Sequence, residues 1–379
     1  MAGGSIPPVG TERPAVVPKA LALTRVGTLP TNALLGIEQR LLGRLRRLRL
    51  DAGQRVIVGF SGGPDSLALA VGLARVASRA GVVPVLGHVD HMARPESGAD
   101  RAAALALASQ LGLAFEQRVL AQPACDLHPG VGPEEAMRRE RFRGLASVAR
   151  EHGTDVVALA HHAEDQAETV LLHLGRGAGL RGAGGMRELA PLTLPWWASD
   201  EPVRSLRVWR PFLEERRTDL AAYVGQARLE PRVDPSNDDP AYRRNAVRHQ
   251  LLPLLEQVMP GSTAALARYA ALAAEDEAII GDLCGDWLAR ARGGDGTLTL
   301  VGLRSAPGIL RGRIVRAWVE ETCGPPSISR ERTEALLRLA EAGGIGGVVE
   351  LGNGRAVRRT RTALLAQPRG DEERGGATR

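Results

Sequence analysis

The segment SGGPDS has the residue types that bind an anionic phosphate through the backbone. It follows a short apolar run, Arg55 to Phe60, that predicts a β-strand, and it precedes a predicted helix, Leu67 to Ala80. Backbone amides at a helix N-terminus point toward an anion, and glycines let the chain approach that anion closely. The sequence therefore predicts a phosphate-binding loop made of Ser61, Gly62, Gly63, Pro64, Asp65 and Ser66.

Asp65 is the residue of this loop that a simple turn does not explain. A tight turn followed by a helix cap accounts for the glycines and one serine, but an acid inside an anion site repels phosphate. A divalent cation between the two groups removes the repulsion, so Asp65 predicts Mg²⁺. Lys19 is the only lysine in the chain, which excludes a Walker-type phosphate loop, and the spacing also differs from GxGxxG.

Polar residues also follow two other predicted strands. His88 and Asp90 close the apolar run that begins at Val82, and His162 follows the run DVVALA. In an open α/β sheet, ligands bind beyond the carboxyl ends of the strands. We therefore expect His88, Asp90 and His162 to lie near a bound nucleotide.

Two acids stand at the start of the predicted helix Glu164 to Leu174. Asp165 and Glu168 are three residues apart and share one helix face, so together with Asp65 they could hold Mg²⁺. A capping cluster at the helix start is the alternative. The neighbouring histidines invite a zinc interpretation, which no cysteine or matching histidine pair supports.

Arginines form two further groups. Arg138 and Arg141 are three apart on the predicted helix Glu134 to Glu151 and could present two guanidiniums to phosphates or RNA. A solvated helix face is the alternative. A second group predicts an RNA backbone contact, or else packing between a loop and a helix; it consists of Arg243, Arg244, Asn245 and Arg248.

The elements that must position these residues alternate between strands and helices up to Arg176. This order predicts an α/β fold, a doubly wound parallel sheet, with a smaller and mostly helical C-terminal domain. After Arg176 the pattern predicts a polar, tryptophan-containing connection as far as Arg210, and after Pro260 a long alanine-rich helix. The predicted domains are a flexible leader (1–34), a main domain (35–259), a C-terminal domain (260–369) and a disordered tail (370–379).

Composition limits the partners. The net charge of +6 and the pI of about 9.9 favour an anionic partner, although an arginine-rich codon bias explains the charge equally well. The cysteines at 125, 284 and 323 stand far apart, so neither a zinc site nor an iron–sulfur cluster is expected. No apolar run predicts a signal peptide or a membrane span, which favours a cytoplasmic protein.

Several motifs resemble known families. SGGxDS after the first strand is similar to the signature of the ATP pyrophosphatases, the PP-loop superfamily. The segments HVDHMARPESGAD, EEAMRRERF, HHAEDQAET, RGAGLRGAGGM, WRPF and DPSNDDPAYRRNAVRH resemble, in order and spacing, those of the tRNA(Ile)-lysidine synthetases. Two positions depart from the family pattern: Glu164 replaces an aspartate, and Phe142 replaces a tyrosine and so loses its hydroxyl.

The resemblance implies an enzyme that uses ATP and Mg²⁺ to adenylate the wobble cytidine of an isoleucine tRNA with a CAU anticodon. Free L-lysine then attacks C2 and AMP leaves. It implies catalytic roles for Asp65, Asp165, Glu168 and Arg138, and RNA contacts for Arg141 and the arginines around Asn245. It also implies that the main domain is catalytic and that the C-terminal domain contacts tRNA. Two alternatives are a tRNA thiolase of the same superfamily and a non-catalytic tRNA-binding protein. The isolated cysteines argue against the first and the intact acids argue against the second.

Overall fold

The computed structural model describes residues 35–90, 97–193, 205–232, 243–324, 328–352 and 354–368. The predicted leader and tail lie outside these residues, as do the DPSNDD segment and Trp196 and Trp197. The chain forms two compact units that divide between Ala274 and Glu275. This division lies inside one long helix, further along the chain than the boundary that the alanine-rich pattern predicts.

A six-stranded sheet organises the first unit. Its strand order is β3-β2-β1-β4-β6-β5, and every neighbouring pair is parallel except β5 and β6. The strands are β1 (Arg55–Gly59), β2 (Val83–Asp90), β3 (Ala114–Val119), β4 (Val156–Ala158), β5 (Leu189–Thr193) and β6 (Ser205–Trp209).

Helices connect these strands and cover both faces of the sheet. They are α1 (Gly36–Arg47), α2 (Pro64–Val76), α3 (Ser97–Leu111), α4 (Ala124–Leu127), α5 (Pro133–Glu151), α6 (Ala163–Leu174), α7 (Leu180–Ala183), α8 (Arg217–Gln226), α9 (Arg243–Ala246) and α10 (Leu252–Val258). A short 3₁₀ turn, Ala77–Ala80, follows α2.

Strand β1 shows why both faces are covered. Its three central residues are fully buried, and successive side chains of a strand point to opposite faces. Val56 and Val58 pack into the core that contains α1, α2 and α3, whereas Ile57 packs into a second core under α5. A strand buried on both sides needs a continuous apolar run, and the segment VIV supplies it. The predicted doubly wound α/β fold is confirmed.

One turn of the helical segment that follows Arg243 is wider than an α-turn. Residues Val247–Leu251 form a π-helical turn between α9 and α10. Pro253, at the start of α10, has no backbone N–H to donate to the preceding turn, which interrupts the regular hydrogen-bond ladder.

The region between Arg176 and Arg210 corrects one expectation. The sequence pattern predicts a polar, tryptophan-containing connection there, but β5 and β6 pair antiparallel and extend the sheet. Strand β5 (LAPLT) has Pro191 at its centre, and a proline inside an apolar run argues against a strand unless that strand lies at the edge of a sheet, as β5 does.

The second unit has its own apolar core. Its strands form a four-stranded antiparallel sheet in the order β7-β10-β9-β8. These strands are β7 (Leu298–Thr299), β8 (Val348–Gly352), β9 (Arg355–Arg359) and β10 (Ala363–Pro368), with helices α12 (Leu300–Ser305), α13 (Gly308–Cys323) and α14 (Arg330–Ala342). Helix α11 (Ser262–Ala291) is the long helix that contains the division between units. None of the described helices is long and apolar enough to cross a membrane.

Candidate active site

The strand order reverses between β1 and β4, so a crevice opens at the carboxyl ends of these two neighbouring strands. The loop that follows β1 contains Ser61 to Ser66, and the residues that follow β4 begin with His161 and His162. Such a switch point is where open α/β sheets bind ligands. The fold therefore brings two of the predicted groups together.

The Ser61–Ser66 loop is held in an open shape by its own hydroxyl groups. The Oγ atoms of Ser61 and Ser66 lie 3.2 Å apart, and Ser66 Oγ donates to the carbonyl of Gly63 at 3.1 Å. Gly62 has a φ of +81°, a backbone conformation that favours glycine. Pro64 is the first residue of α2, where its missing N–H costs no hydrogen bond. The loop thus presents a helix N-terminus to the crevice.

Asp65 is the acid of this loop, and it points toward the residues that follow β4. Its Oδ2 lies 3.6 Å from Nε2 of His162. Its other oxygen, Oδ1, is buried and has no hydrogen-bond partner. A buried carboxylate oxygen without a donor is costly, so the position suits a cation that arrives with a ligand.

His162 lies among three carboxylates. It is buried, with Nδ1 at 3.0 Å from Glu164, and Nε2 at 3.5 Å from Asp165 and 3.6 Å from Asp65. Burial favours the neutral ring, but the contacts with Asp65, Glu164 and Asp165 outweigh burial and raise the pKa of His162 to about 10. The imidazole is therefore a cation at neutral pH and balances part of the acidic charge.

Asp165 and Glu168 are paired with arginines on the far side of the crevice. Glu168 is fully buried; its Oε1 accepts from Arg248 Nε at 2.6 Å and its Oε2 from Arg244 Nε at 2.8 Å. Asp165 Oδ1 accepts from the same two guanidiniums at 3.1 and 2.8 Å. Burial raises the pKa of Asp165, but the charges of His162, Arg244 and Arg248 outweigh it and hold the pKa well below its usual range.

This pairing joins two groups that the sequence analysis placed in different roles. Arg244 and Arg248, which are predicted to contact RNA, pair in this structure with Asp165 and Glu168, which are predicted to hold Mg²⁺. Arg248 belongs to the π turn and lies four residues after Arg244, so both reach α6 from one helix face. Arg243 is exposed and Asn245 is half-buried in the same segment.

The residues present suit Mg²⁺ only if phosphate oxygens complete its coordination. Asp65 and Asp165 both approach the same nitrogen of His162, and one oxygen of Asp65 has no partner. Among the described residues, no cluster of three or more His, Cys, Asp or Glu side chains could form a metal site from protein groups alone. Mg²⁺ commonly takes one or two carboxylates together with substrate phosphates and water, which this arrangement permits.

His88 and Asp90 lie at the carboxyl end of β2, beside the loop. Nδ1 of His88 is 2.9 Å from the carbonyl oxygen of Phe60, and its ring stacks on Phe115 at 6.0 Å. Asp90 is buried and lies 3.5 Å from Arg101. Both residues are thus positioned near the Ser61–Ser66 loop and anchor neighbouring elements.

Helix α5 supplies the remaining predicted arginines. Arg138 bonds Glu135 at 2.7 Å, and its guanidinium lies 5.6 Å from the ring of Phe142. Desolvation by the surrounding protein lowers the pKa of Arg141, and the nearby positive charges of Arg244 and Arg138 lower it further. The three guanidiniums therefore lie in one region. A cavity of about 630 Å³ opens beside them, lined in part by Glu134, Glu135, Arg138, Thr169, Arg243 and Arg244.

Three residues of this region were not predicted as site residues. Glu164 accepts from the backbone N–H of Arg217 at 3.0 Å and contacts His162. His161 has a buried Nδ1 without a partner, and Arg210 directly follows β6. The same rule that selected His88, namely a polar residue at the carboxyl end of a strand, would have found Arg210 if the sequence had shown β6.

Comparisons with known proteins identify the family of this chain. The PP-loop domain family matches residues 37–255, and the TilS substrate binding domain family matches residues 298–365. The tRNA(Ile)-lysidine synthase of Leifsonia xyli is 39% identical over 304 residues, 78% of this chain and 85% of the relative. That of Salinispora tropica is 38% identical over 314 residues, 82% of this chain and 90% of the relative.

One solved structure supports the fold of the first unit, and only the fold. The U34-tRNA thiolase NcsA of Methanococcus maripaludis, solved with its [4Fe-4S] cluster, superposes with a TM-score of 0.50 at 18% identity. The match covers 62% of this chain and 78% of the thiolase. The fold and the loop after β1 thus define the first unit as a PP-loop, ATP-using domain. The chain as a whole belongs to the tRNA(Ile)-lysidine synthase family.

Proposed function

We propose that this chain is a ligase that joins free L-lysine to C2 of the wobble cytidine in a tRNA(Ile) with a CAU anticodon, at the expense of ATP. The observation that carries the proposal is the position of Asp65 against His162 and Asp165, across the switch point of a PP-loop domain. Family membership supports the tRNA substrate and the carbon–nitrogen bond.

The proposed reaction has two steps. The O2 atom of the cytidine attacks the α-phosphorus of ATP and pyrophosphate leaves. The lysine amine then attacks C2, loses a proton, and expels AMP together with the former O2. Negative charge builds up on the leaving phosphates in both steps, so the site must supply amides and cations.

Several side chains suit these needs. In our proposal the amides of Gly62 and Gly63, at the start of α2, bind the pyrophosphate part of ATP. Asp65 and Asp165 would hold Mg²⁺, which supplies charge neutralisation when it is bound. Arg138 lies near Arg141 and Arg244, where a guanidinium would stabilise charge on the transferred phosphate.

Asp165 and Glu168 also suit the ammonium group of lysine. In the structure their charge is already met by Arg244 and Arg248. A lysine ammonium would therefore bind by sharing or displacing one of these guanidiniums. The arrangement is consistent with an acidic site that is closed by the protein's own cations until the substrate arrives.

The tRNA body is assigned to the second unit. Its residues 298–365 match a family described as a substrate binding domain, and this supports the predicted RNA-contacting role of the C-terminal domain. Arg243, Arg244, Asn245 and Arg248 would contact the RNA near the cytidine once the ligands are bound.

The test is lysine transfer to defined transcripts. Purified protein is incubated with ATP, Mg²⁺, labelled lysine and tRNA(Ile) transcripts with the anticodon CAU. We expect label in the transcript and one AMP per lysine inserted. A matched transcript with anticodon GAU is the control and should remain unlabelled. ATP cleavage without label in the CAU transcript would contradict lysidine synthesis.

A further inference from the structure

Arg210 is a cation that the site leaves without a matching acid. Its guanidinium donates to the carbonyl of Arg187 at 3.1 Å, and its Nε is buried without a hydrogen-bond partner. In the part of the chain that the structure describes, no carboxylate forms an ion pair with Arg210. By contrast, Arg138 is paired with Glu135, and Arg244 with Asp165.

The surroundings of Arg210 make this isolation costly. Burial and the charge of Arg138 lower the pKa of Arg210 to about 10, which still leaves it charged at neutral pH. Burial likewise lowers the pKa of His161 to about 3, and Arg210 and Arg141 contribute to that shift. His161 is therefore neutral, and its buried Nδ1 also has no partner. Uncompensated positive charge beside two unpaired nitrogen atoms favours binding of an anion.

The position in the sheet indicates which anion this is. Trp209 pairs with Ala158, so Arg210 extends beyond the carboxyl end of β6, next to the segment that carries His161. Strands in a sheet are about 4.8 Å apart, so β6 lies about 10 Å from β1 and its phosphate-binding loop. An anion at Arg210 is consequently a different group from the pyrophosphate held by the amides of that loop.

We infer that Arg210 and His161 form a subsite for a backbone phosphate of the RNA that carries the reacting base. The guanidinium supplies paired donors to the phosphate oxygens, and the neutral imidazole supplies one further hydrogen bond. The inference rests on the proposed function, because it takes RNA as the acceptor. It assigns Arg210 as a positioning residue that fixes the RNA strand relative to the phosphate-binding loop.

The experiment measures binding without turnover. Wild type, Arg210→Met and Arg210→Lys are titrated with the CAU transcript over a series of salt concentrations, and separately with α,β-methylene-ATP. Arg207→Met is the matched control, since Arg207 lies on the same strand but is already paired with Asp155 at 2.7 Å. Thermal melting of every variant reports whether it is folded.

We expect Arg210→Met to weaken transcript binding about tenfold and to reduce the salt slope by about one phosphate contact. Its affinity for the nucleotide analogue should be that of wild type, and Arg207→Met should bind both ligands normally. Arg210→Lys keeps the charge without the paired donors, so it should recover part of the affinity, and it carries the test if the methionine variant does not fold.

Two outcomes would overturn the subsite. Unchanged transcript affinity and salt slope in a folded Arg210→Met protein would show that no RNA phosphate binds there. A loss confined to the nucleotide analogue would reassign Arg210 to ATP. A wild type that binds the transcript with this dependence on Arg210 but inserts no lysine would reject the proposed reaction and leave the subsite intact.

Discussion

The two units of the chain differ in what they bury. Within the described residues, every buried Asp, Glu, His and Arg side chain lies in the first unit, including Glu140, His162, Asp165 and Glu168. The buried polar residues of the second unit are Thr297 and Thr333, and its core contains Trp318, Leu336 and other apolar side chains.

The difference follows from the cost of burying charge. Removing a charge from water is costly, and a protein retains buried charges where they are paired or where they act on a ligand. Three of them, His162, Asp165 and Glu168, follow the carboxyl end of β4, as expected of a reaction site. The second unit is stabilised by ordinary apolar packing.

The largest expected effect tests the reaction site. Asp65→Asn should lower the rate of pyrophosphate release about a thousandfold, because the cation that neutralises the phosphates loses a ligand. Transcript affinity should change little. Asp51→Asn, at an exposed position before β1, is the control and should react at the wild-type rate. Equal losses of activity and RNA binding would instead indicate a misfolded variant.

The next effect tests whether the second unit is an independent binding module. Leu336 is fully buried on α14, so Leu336→Ala should destabilise this unit by about 3 kcal/mol in urea unfolding. In the urea range where only this unit has unfolded, transcript binding should be lost while nucleotide-analogue binding persists. Ile309→Ala, at a position 89% exposed, should leave both unchanged. Parallel loss of the two affinities would contradict independent units.

The smallest effect concerns the buried ion pairs of the first unit. Glu168→Gln leaves Arg244 and Arg248 with less negative charge, and a double-mutant cycle with Arg248→Met should give a coupling free energy of about 1–2 kcal/mol. The same cycle on the partly exposed pair Arg207 and Asp155 should give about 0.5 kcal/mol or less. If the effects of Glu168→Gln and Arg248→Met are additive, the buried pair is coupled no more strongly than the surface pair, and the prediction is wrong.

Much of the fold was open to prediction because β1 and β2 are apolar runs of ordinary strand length. The glycine-rich turn after β1 then identified the site, since few other residues adopt the backbone of Gly62. Strand order was less accessible. The β5–β6 pair was missed because β5 contains Pro191 and β6 contains Arg207 in the middle of a short apolar run.

The ion pairs between α6 and the segment after Arg243 could not be predicted from the sequence, for a different reason. Asp165 and Arg248 are separated by 83 residues, and local spacing gives no information about a contact over that distance. The sequence showed two acids on one helix and two arginines on another segment, each with a plausible ligand. Their mutual neutralisation depends on how the segment after Tyr242 packs against α6. Arg210 was not predicted as a site residue because it follows β6, and β6 itself was not predicted.

The π turn at Val247–Leu251 has a consequence for chain length. A π turn holds about one residue more than an α-turn, so this segment corresponds to a single-residue insertion in a regular helix. Removing one residue from this turn would let the segment close as a regular α-helix, whereas the same deletion in a regular stretch of α-helix rotates everything beyond it by about 100°. Leu252, which is buried, would therefore keep its present side of the helix after a deletion inside the turn. The π turn is thus a place where the chain can lose one residue without a change in the phase of α10.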